Sequence, residues 1–283
     1  MCGRFVASRP VEDLVDQFDV DEVRIPPELL PGPRFNVSPQ DEVLAVREIA
    51  RPAEEAGAAP LLERRLGTYR WGLVPSWAKS PSVGARAFNA RAETLLDKPM
   101  FRTALQKRRC IVPADAFYEW ERLGHAPDPS PARRGVKRQP WCFRAADGQL
   151  LGFAGLYELW REDRDAEWLP TCTIITTDAN GLMAPVHERM PVVLRPEDYE
   201  AWLSPGVLDP GELAVLLAPP ADSFLVGYRV GSEVGNSRSE GPQLVEPRDE
   251  SSESSSAPSG DSTSSGGDSP ADSSPTPEGE ARP

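Results

Sequence analysis

Lysine, histidine and paired cysteine are what this chain of 283 residues has least of. Of its 31 Lys and Arg, only four are lysine (Lys79, Lys98, Lys107, Lys137), leaving 27 arginines, and 44 carboxylates outnumber them to give a net charge of −13. That balance excludes a wholesale basic face, so contact with a polyanion has to rest on a local cluster. The arginine bias fits either a high-GC genome or a salt-rich cytoplasm. The four cysteines (Cys2, Cys110, Cys142, Cys172) lie far apart with no CxxC pair, which argues against a disulfide framework and a zinc knuckle and predicts no metal. Cys110 and Cys172 fall in apolar, strand-like runs, where a thiol serves as a small buried hydrophobe. No apolar run reaches the roughly 18 residues of a membrane span. The start carries Arg4 and Arg9 without an apolar stretch behind them, unlike a signal peptide. These absences predict a cytoplasmic protein without a membrane partner.

What is present suffices for a substantial core, since 39% of the residues are hydrophobic. The composition collapses from Glu246 onward into Ser, Pro, Gly, Asp and Glu, with nine carboxylates against two arginines. The expectation is a folded region over 1–245 and a disordered acidic tail over 246–283. Val11, Leu14, Val15 and Phe18 at i, i+3, i+4 and i+7 predict a short amphipathic helix. Pro-rich coil over 26–33 and a strand around Val43–Val46 follow, and an Ala/Glu/Pro-rich loop over 50–60 precedes an extended run from Leu66 to Val74. A helix over Phe101–Arg109 leads into strands at Arg109–Pro113 and Phe117–Trp120. Further strands are expected at Leu150–Glu158, Thr171–Thr177 and Phe224–Val230, with short helices at Glu197–Trp202 and Gly211–Leu217. The Thr171–Thr177 strand turns Cys172, Ile174 and Thr176 to one side.

The chemistry-bearing residues are scattered. Cysteine at position 2 is small enough for Met1 to be clipped, which would leave an α-amine and a thiol on adjacent carbons, a pair that captures aldehydes as a thiazolidine. Asn89 and Arg91 are polar residues in an apolar region, either buried struts or a cradle in which Arg91 grips a phosphate. Glu119 lies between aromatics on a strand, placed for proton transfer or for pairing with an arginine. His187 sits in a Pro-bracketed loop just after a strand, suited to a catalytic or a structural histidine. Trp71 and Trp77 flank a turn, either stacking on bases or capping a core. Residues 121–140 form a loop with the densest basic cluster (Arg133, Arg134, Lys137, Arg138), while His125 reads as a surface bystander.

Five blocks in order resemble the SRAP (SOS response associated peptidase) family, whose members form protein crosslinks with abasic sites in single-stranded DNA. They are Met1-Cys2-Gly3-Arg4, Trp71-Gly72-Leu73-Val74-Pro75-Ser76-Trp77, Asn89-Ala90-Arg91-Ala92-Glu93-Thr94, Arg109-Cys110-Ile111-Val112-Pro113 with Phe117-Tyr118-Glu119-Trp120, and His187-Glu188-Arg189-Met190-Pro191. One departure is Ala116, where the family pattern calls for glycine. The resemblance implies a single α+β domain, with a curved, barrel-like antiparallel sheet flanked by short helices and DNA lying in a groove across it. It implies an enzyme, monomeric and without cofactor, that senses abasic sites. Cys2 would attack the open-chain sugar aldehyde to form a thiazolidine and so protect the site during the DNA damage response. Asn89 would hold the terminal residue and the sugar hydroxyls, Glu119 would move protons, and His187 would act on the sugar hydroxyl to promote ring opening. Arg4, Arg91 and the Trp77 region would contact phosphates and bases. Two rivals use the same residues differently: a cysteine peptidase with Cys2 as nucleophile, and a non-catalytic reader of modified bases.

Overall fold

Strand pairing over long sequence separations dominates the computed structural model, which describes residues 2–52, 60–123 and 138–248. In chain order come β1 (Phe5–Ala7), α1 (Val11–Phe18), β2 (Glu22–Val23), β3 (Arg34–Val37), β4 (Glu42–Arg51), β5 (Leu61–Trp71) and β6 (Asn89–Arg91). They are followed by α2 (Pro99–Lys107), β7 (Arg109–Ala114), β8 (Ala116–Arg122), β9 (Arg138–Ala145), β10 (Leu151–Trp160) and β11 (Leu169–Asp178). The last are β12 (Arg189–Pro191), β13 (Val193–Leu194), α3 (Tyr199–Leu203), α4 (Pro210–Leu216) and β14 (Leu225–Arg229). One sheet runs β14-β9-β8-β1-β3; the larger runs β12-β11-β10-β7-β4-β5-β2, with β13 added on β10 and β6 on β11. Pairing is mostly antiparallel, and residues through Arg248 form one compact unit.

The expected curved, barrel-like sheet is borne out as a curled sheet that stops short of a closed barrel. The larger sheet curls until the last two residues of β5 pair in parallel with β11 (Arg70 with Thr171, Trp71 with Cys172), but this junction does not extend into a closed wall. The reason lies at Gly72. Its φ of +149° turns the chain away after Trp71, and a Cβ there would fall 2.6 Å from the Gly84 carbonyl oxygen, so only glycine permits the crossing.

Three apolar clusters explain why the strands read as nearly continuous hydrophobic runs. The outer face of the larger sheet packs under the helices, where Leu14 and Phe18 of α1 are buried and Phe18 stacks on Tyr199 at 5.1 Å. The inner face, including Phe5, Trp71, Phe117, Phe143 and Phe153, forms a second cluster that contains Cys2. Val6, Ala116, Tyr118 and Cys142 on the back of the smaller sheet meet Val230, Val234 and Leu244 in a third. Along β11, Cys172 and Ile174 enter the inner cluster and Ile175 the outer one, so the predicted alternation separates two buried faces rather than core from solvent.

The helix read over 101–109 starts at Pro99 and ends at Lys107, and the Pro-rich coil contains a 3-10 turn at Pro27–Leu29. Ala116, the departure from glycine, is buried and pairs with Val6, leaving the strand regular. The insertion at 53–59, the acidic tail beyond Arg248, and the loop residues His125, Arg133, Arg134 and Lys137 lie outside the described residues.

Candidate active site

β1 delivers the start of the chain to the interior. Its pairing with β8 sets Phe5 opposite Phe117 and Val6 opposite Ala116, and the amide of Tyr118 donates to the Arg4 carbonyl at 3.0 Å. Continued by this register, residues 2–4 run alongside Glu119. Cys2 is fully buried, and Asn89 Nδ2 donates to its carbonyl oxygen at 2.6 Å.

Asn89 is held from behind. β6 runs parallel to β11, with Asn89 opposite Ile174, and the preceding residue, Phe88, offers its carbonyl to both the Trp71 indole at 2.8 Å and the Ile174 amide at 3.1 Å. The Oδ1 of Asn89 is buried and accepts no hydrogen bond among the described residues, which leaves an acceptor for a hydroxyl donor. The two-residue period of a strand puts Arg91 on the Asn89 face of β6, exposed, while Ala90 packs into the core.

Glu119 shares the inward face of β8 with Phe117 and is only 3% exposed. Burial, with the Glu119 charge adding to it, pushes the Cys2 thiol far above its ordinary range. Burial likewise pulls the His187 imidazole below its usual value, and here Glu119 opposes the effect. Glu119 therefore lies within electrostatic reach of both Cys2 and His187. At neutral pH, Cys2 is a thiol and His187 is neutral. The Arg189 amide donates to His187 Nδ1 at 2.9 Å, and the Arg189 carbonyl lies 3.2 Å from the same nitrogen.

Arg189, just past that histidine, clamps two segments together. Its guanidinium donates to both Glu93 oxygens at 2.8 and 3.0 Å, to Asp178 at 2.5 Å and to the Thr176 carbonyl at 2.7 Å. Glu93 follows β6 and Arg189 opens β12, so one side chain joins the segment carrying Asn89 to the one carrying His187. The Arg189→Met protein is expected to lose about 2–3 kcal/mol by urea titration, the cost of an unpaired carbonyl and of charge-assisted bonds whose carboxylates rehydrate. A loss below about 0.5 kcal/mol would show that the clamp is not structural.

The sequence-predicted residues thus divide. Cys2, Asn89, Glu119 and His187 converge, with Arg91 beside them. Arg4 is partly committed elsewhere, because Nη1 donates to Asn36 Oδ1 at 2.9 Å and to the Val234 carbonyl at 3.0 Å. Trp71 and Trp77 separate: Trp71 is buried, whereas Trp77 is 65% exposed on the turn that follows. Sequence reasoning missed Asn36, a fully buried amide that donates to the carbonyls of Val234, Asn236 and Ser239. It also gave Arg189 no role of its own. The signal for Asn36 was its place in the apolar Phe35-Asn36-Val37 run. No group of three or more metal-ligating side chains occurs among the described residues.

The chain matches the SOS response associated peptidase (SRAP) family over residues 1–237. Abasic site processing protein YoqW of Bacillus subtilis (strain 168) is 39% identical over 246 residues, 87% of this chain and 99% of its own. Abasic site processing protein HMCES of Xenopus tropicalis is 31% identical over 234 residues, 75% of this chain and 65% of its own. A crystal structure of a protein from Bacteroides thetaiotaomicron shares the fold at a TM-score of 0.69 and 23% identity, covering 87% of this chain and 100% of that one. Another, from Bordetella bronchiseptica, aligns at a TM-score of 0.60 and 28% identity over 81% of this chain and 100% of that one. The match spans all four convergent residues and the strands that carry them, and the chain belongs to the SRAP family.

Proposed function

We propose that this protein processes abasic sites in single-stranded DNA by capturing the open-chain sugar aldehyde on Cys2 as a thiazolidine, protecting the site during the DNA damage response. The observation that carries the reading is the hydrogen bond from Asn89 to the Cys2 carbonyl, which anchors the terminal residue within reach of the Glu119 charge, the same charge that acts on His187. The relatives' names as abasic site processing proteins support the substrate class. The protein would act as a monomer in the cytoplasm and join the nucleoid when bound to DNA.

Hydrolysis of the Met1–Cys2 peptide bond frees the α-amine. His187, neutral at rest, exchanges a proton with the sugar hydroxyl as the ring opens, and Asn89 Oδ1 accepts from a hydroxyl to hold the sugar. The amine adds to the aldehyde carbon, and Glu119 takes the protons lost by the amine nitrogen and passes them to the carbinolamine oxygen, which leaves as water. The thiol then adds across the resulting C=N bond: sulfur bonds to carbon, and the thiol proton travels through Glu119 to nitrogen. The sum is aminothiol plus aldehyde giving thiazolidine plus one water. Because thiol and amine sit on adjacent carbons of an anchored residue, ring closure draws on proximity rather than on a preformed thiolate.

That last point weighs against the peptidase rival. A nucleophilic cysteine is normally poised as a thiolate beside an imidazolium, whereas here a carboxylate adjoins the sulfur and the imidazole is neutral. No observation favours a reader of modified bases.

Incubation with a single-stranded oligonucleotide bearing one abasic site, followed by denaturation, should leave a shifted band. Its mass should equal protein without Met1 plus oligonucleotide minus one water. No band, or one whose mass retains Met1, would overturn the reading.

A further inference from the structure

Between the two halves of the site stands a side chain with no proton chemistry of its own. Cys2 enters on β1, a strand of the smaller sheet, whereas Asn89 enters on β6, which among the described residues pairs only with β11 of the larger sheet. No ladder joins β1 to β6, so strand pairing alone does not fix the 2.6 Å bond from Asn89 Nδ2 to the Cys2 carbonyl. The margin is small, because a donor and acceptor drawn beyond about 3.5 Å no longer bond. A brace between the two sheets is needed.

Trp71 reaches both strands. Its ring packs edge-on against Phe5 of β1 with centroids 5.1 Å apart, in the same inner cluster that holds Cys2. Its Nε1 donates to the Phe88 carbonyl at 2.8 Å, the carbonyl of the peptide unit that leads into Asn89, and its ring meets the Phe88 ring edge-on at 6.0 Å. The indole is itself held firmly. Trp71 is fully buried, its amide donates to the Asp41 carbonyl at 2.9 Å, and its own carbonyl accepts the Gln40 amide at 2.8 Å. From the other side the Gly72 amide donates to the Cys172 carbonyl at 2.8 Å, which ties the same stretch to β11.

The indole also supplies more than packing requires. The Phe88 carbonyl already accepts the Ile174 amide at 3.1 Å, so it would not be left unsatisfied without Trp71. A carbonyl oxygen has two lone pairs, and filling both from different directions fixes the orientation of the peptide. Ile174 holds that peptide from the strand side and Trp71 from the core side. A phenylalanine would keep edge contacts with its neighbours but would offer no donor.

We propose that Trp71 is the positioning residue of the capture site: its indole N–H braces the Phe88–Asn89 peptide so that the Asn89 amide meets the terminal residue delivered by β1. The inference rests on the reading of Cys2 as the capturing residue. Trp71 acts through Asn89 rather than on the sugar. Since a misplacement of about 1 Å can cost about 10²-fold in rate, releasing one of the two constraints on this peptide is expected to slow capture about tenfold.

The test separates the donor from the ring. Site-specific incorporation of benzothienylalanine in place of Trp71 puts sulfur where the indole carries N–H and keeps the bicyclic shape, whereas Trp71→Phe removes donor and volume together. Crosslinking of the full-length protein to a single-stranded oligonucleotide with one abasic site is followed against oligonucleotide concentration, with asparagine at position 89 and in Asn89→Ala. The isostere is expected to lower the maximal rate constant about tenfold at an unchanged half-saturating concentration, and to lower it no further in Asn89→Ala. Trp71→Phe should slow capture at least as much. Without DNA, hydrogen exchange of the Asn89 side-chain amide in isotope-labelled protein should be faster in the isostere than in the unmodified protein. An unchanged rate constant or an unchanged exchange rate in the isostere would overturn the proposal. Equal slowing in both position-89 backgrounds, or a lower endpoint at an unchanged rate constant, would show that the ring is core alone and would also overturn it. Each of these results leaves the capture reading intact. Absence of any crosslink by the unmodified protein would remove that reading and the inference that rests on it.

Discussion

Cys2→Ala is expected to abolish the denaturation-resistant complex with abasic DNA while leaving the fold in place. The sulfur is the only atom lost, from a position packed among Phe5, Trp71 and Phe117, and a small buried side chain shortened by one atom costs about 1 kcal/mol. The hydrogen bond from Asn89 goes to the backbone carbonyl of residue 2, so alanine keeps that anchor and presents its amine in the same place. The variant should therefore still form the imine, which has no thiol to close it and reverts on denaturation. Borohydride added before denaturation should reduce that imine and bring the shifted band back. Loss without reductant and recovery with it would separate the two halves of the aminothiol. A band of undiminished intensity without reductant would eliminate the thiazolidine.

Glu119→Gln should slow crosslinking by about 10²- to 10⁴-fold, the usual worth of a positioned proton carrier. The substitution is nearly isosteric at a 3% exposed position, and its electrostatic side effects can be signed in advance. The Glu119 charge helps to raise the Cys2 thiol and to raise His187 against the pull of burial. Without it, the thiol titrates lower and becomes the better nucleophile, and His187 shifts further down. If Glu119 were merely a repulsive neighbour, the glutamine variant would be faster. A tenfold or greater loss thus identifies proton transfer, and a gain would exclude it. The same variant moves the pH dependence of stability. His187 has a folded value below its unfolded one, so its contribution is fully present above about pH 6.5 and is lost as pH falls through the folded value. In Glu119→Gln that loss should extend to lower pH.

How much of this was legible beforehand depends on the distance over which each signal acts. α1 was fully readable, because its apolar spacing is local and Leu14 and Phe18 are the buried residues. So were β7, β8 and β11 as strands, from their β-branched and aromatic runs. What escaped was set by partners far away in the chain. Nothing near Trp71 announces that its indole will hold the carbonyl of Phe88, or that the strand before Gly72 will meet β11 for two residues and stop, so the barrel-like curve was readable but not where it stays open. Arg189 read as one polar residue in a loop, and its role depends on Glu93 and Asp178 arriving from two other segments. The resemblance gave Arg4 to phosphates, yet Asn36, itself buried by a distant loop, claims one of its amino groups.

The pairing of β1 with β8 also bears on when the proposed capturing residue becomes competent. Cys2, Asn89, Glu119 and His187 lie on segments joined only after strands 112 (Phe5 with Phe117) and 85 (Asn89 with Ile174) residues apart in sequence have met, the kind of pairing that forms slowly. Cys2 is translated first, but the groups around it arrive with residues 89, 119 and 187. Until they do, the terminal cysteine is an ordinary solvated one, without an anchor for its carbonyl or a proton carrier beside its sulfur. On the proposed reading, the order of synthesis separates making the aminothiol from arming it, and no truncated chain that stops before His187 holds the complete set.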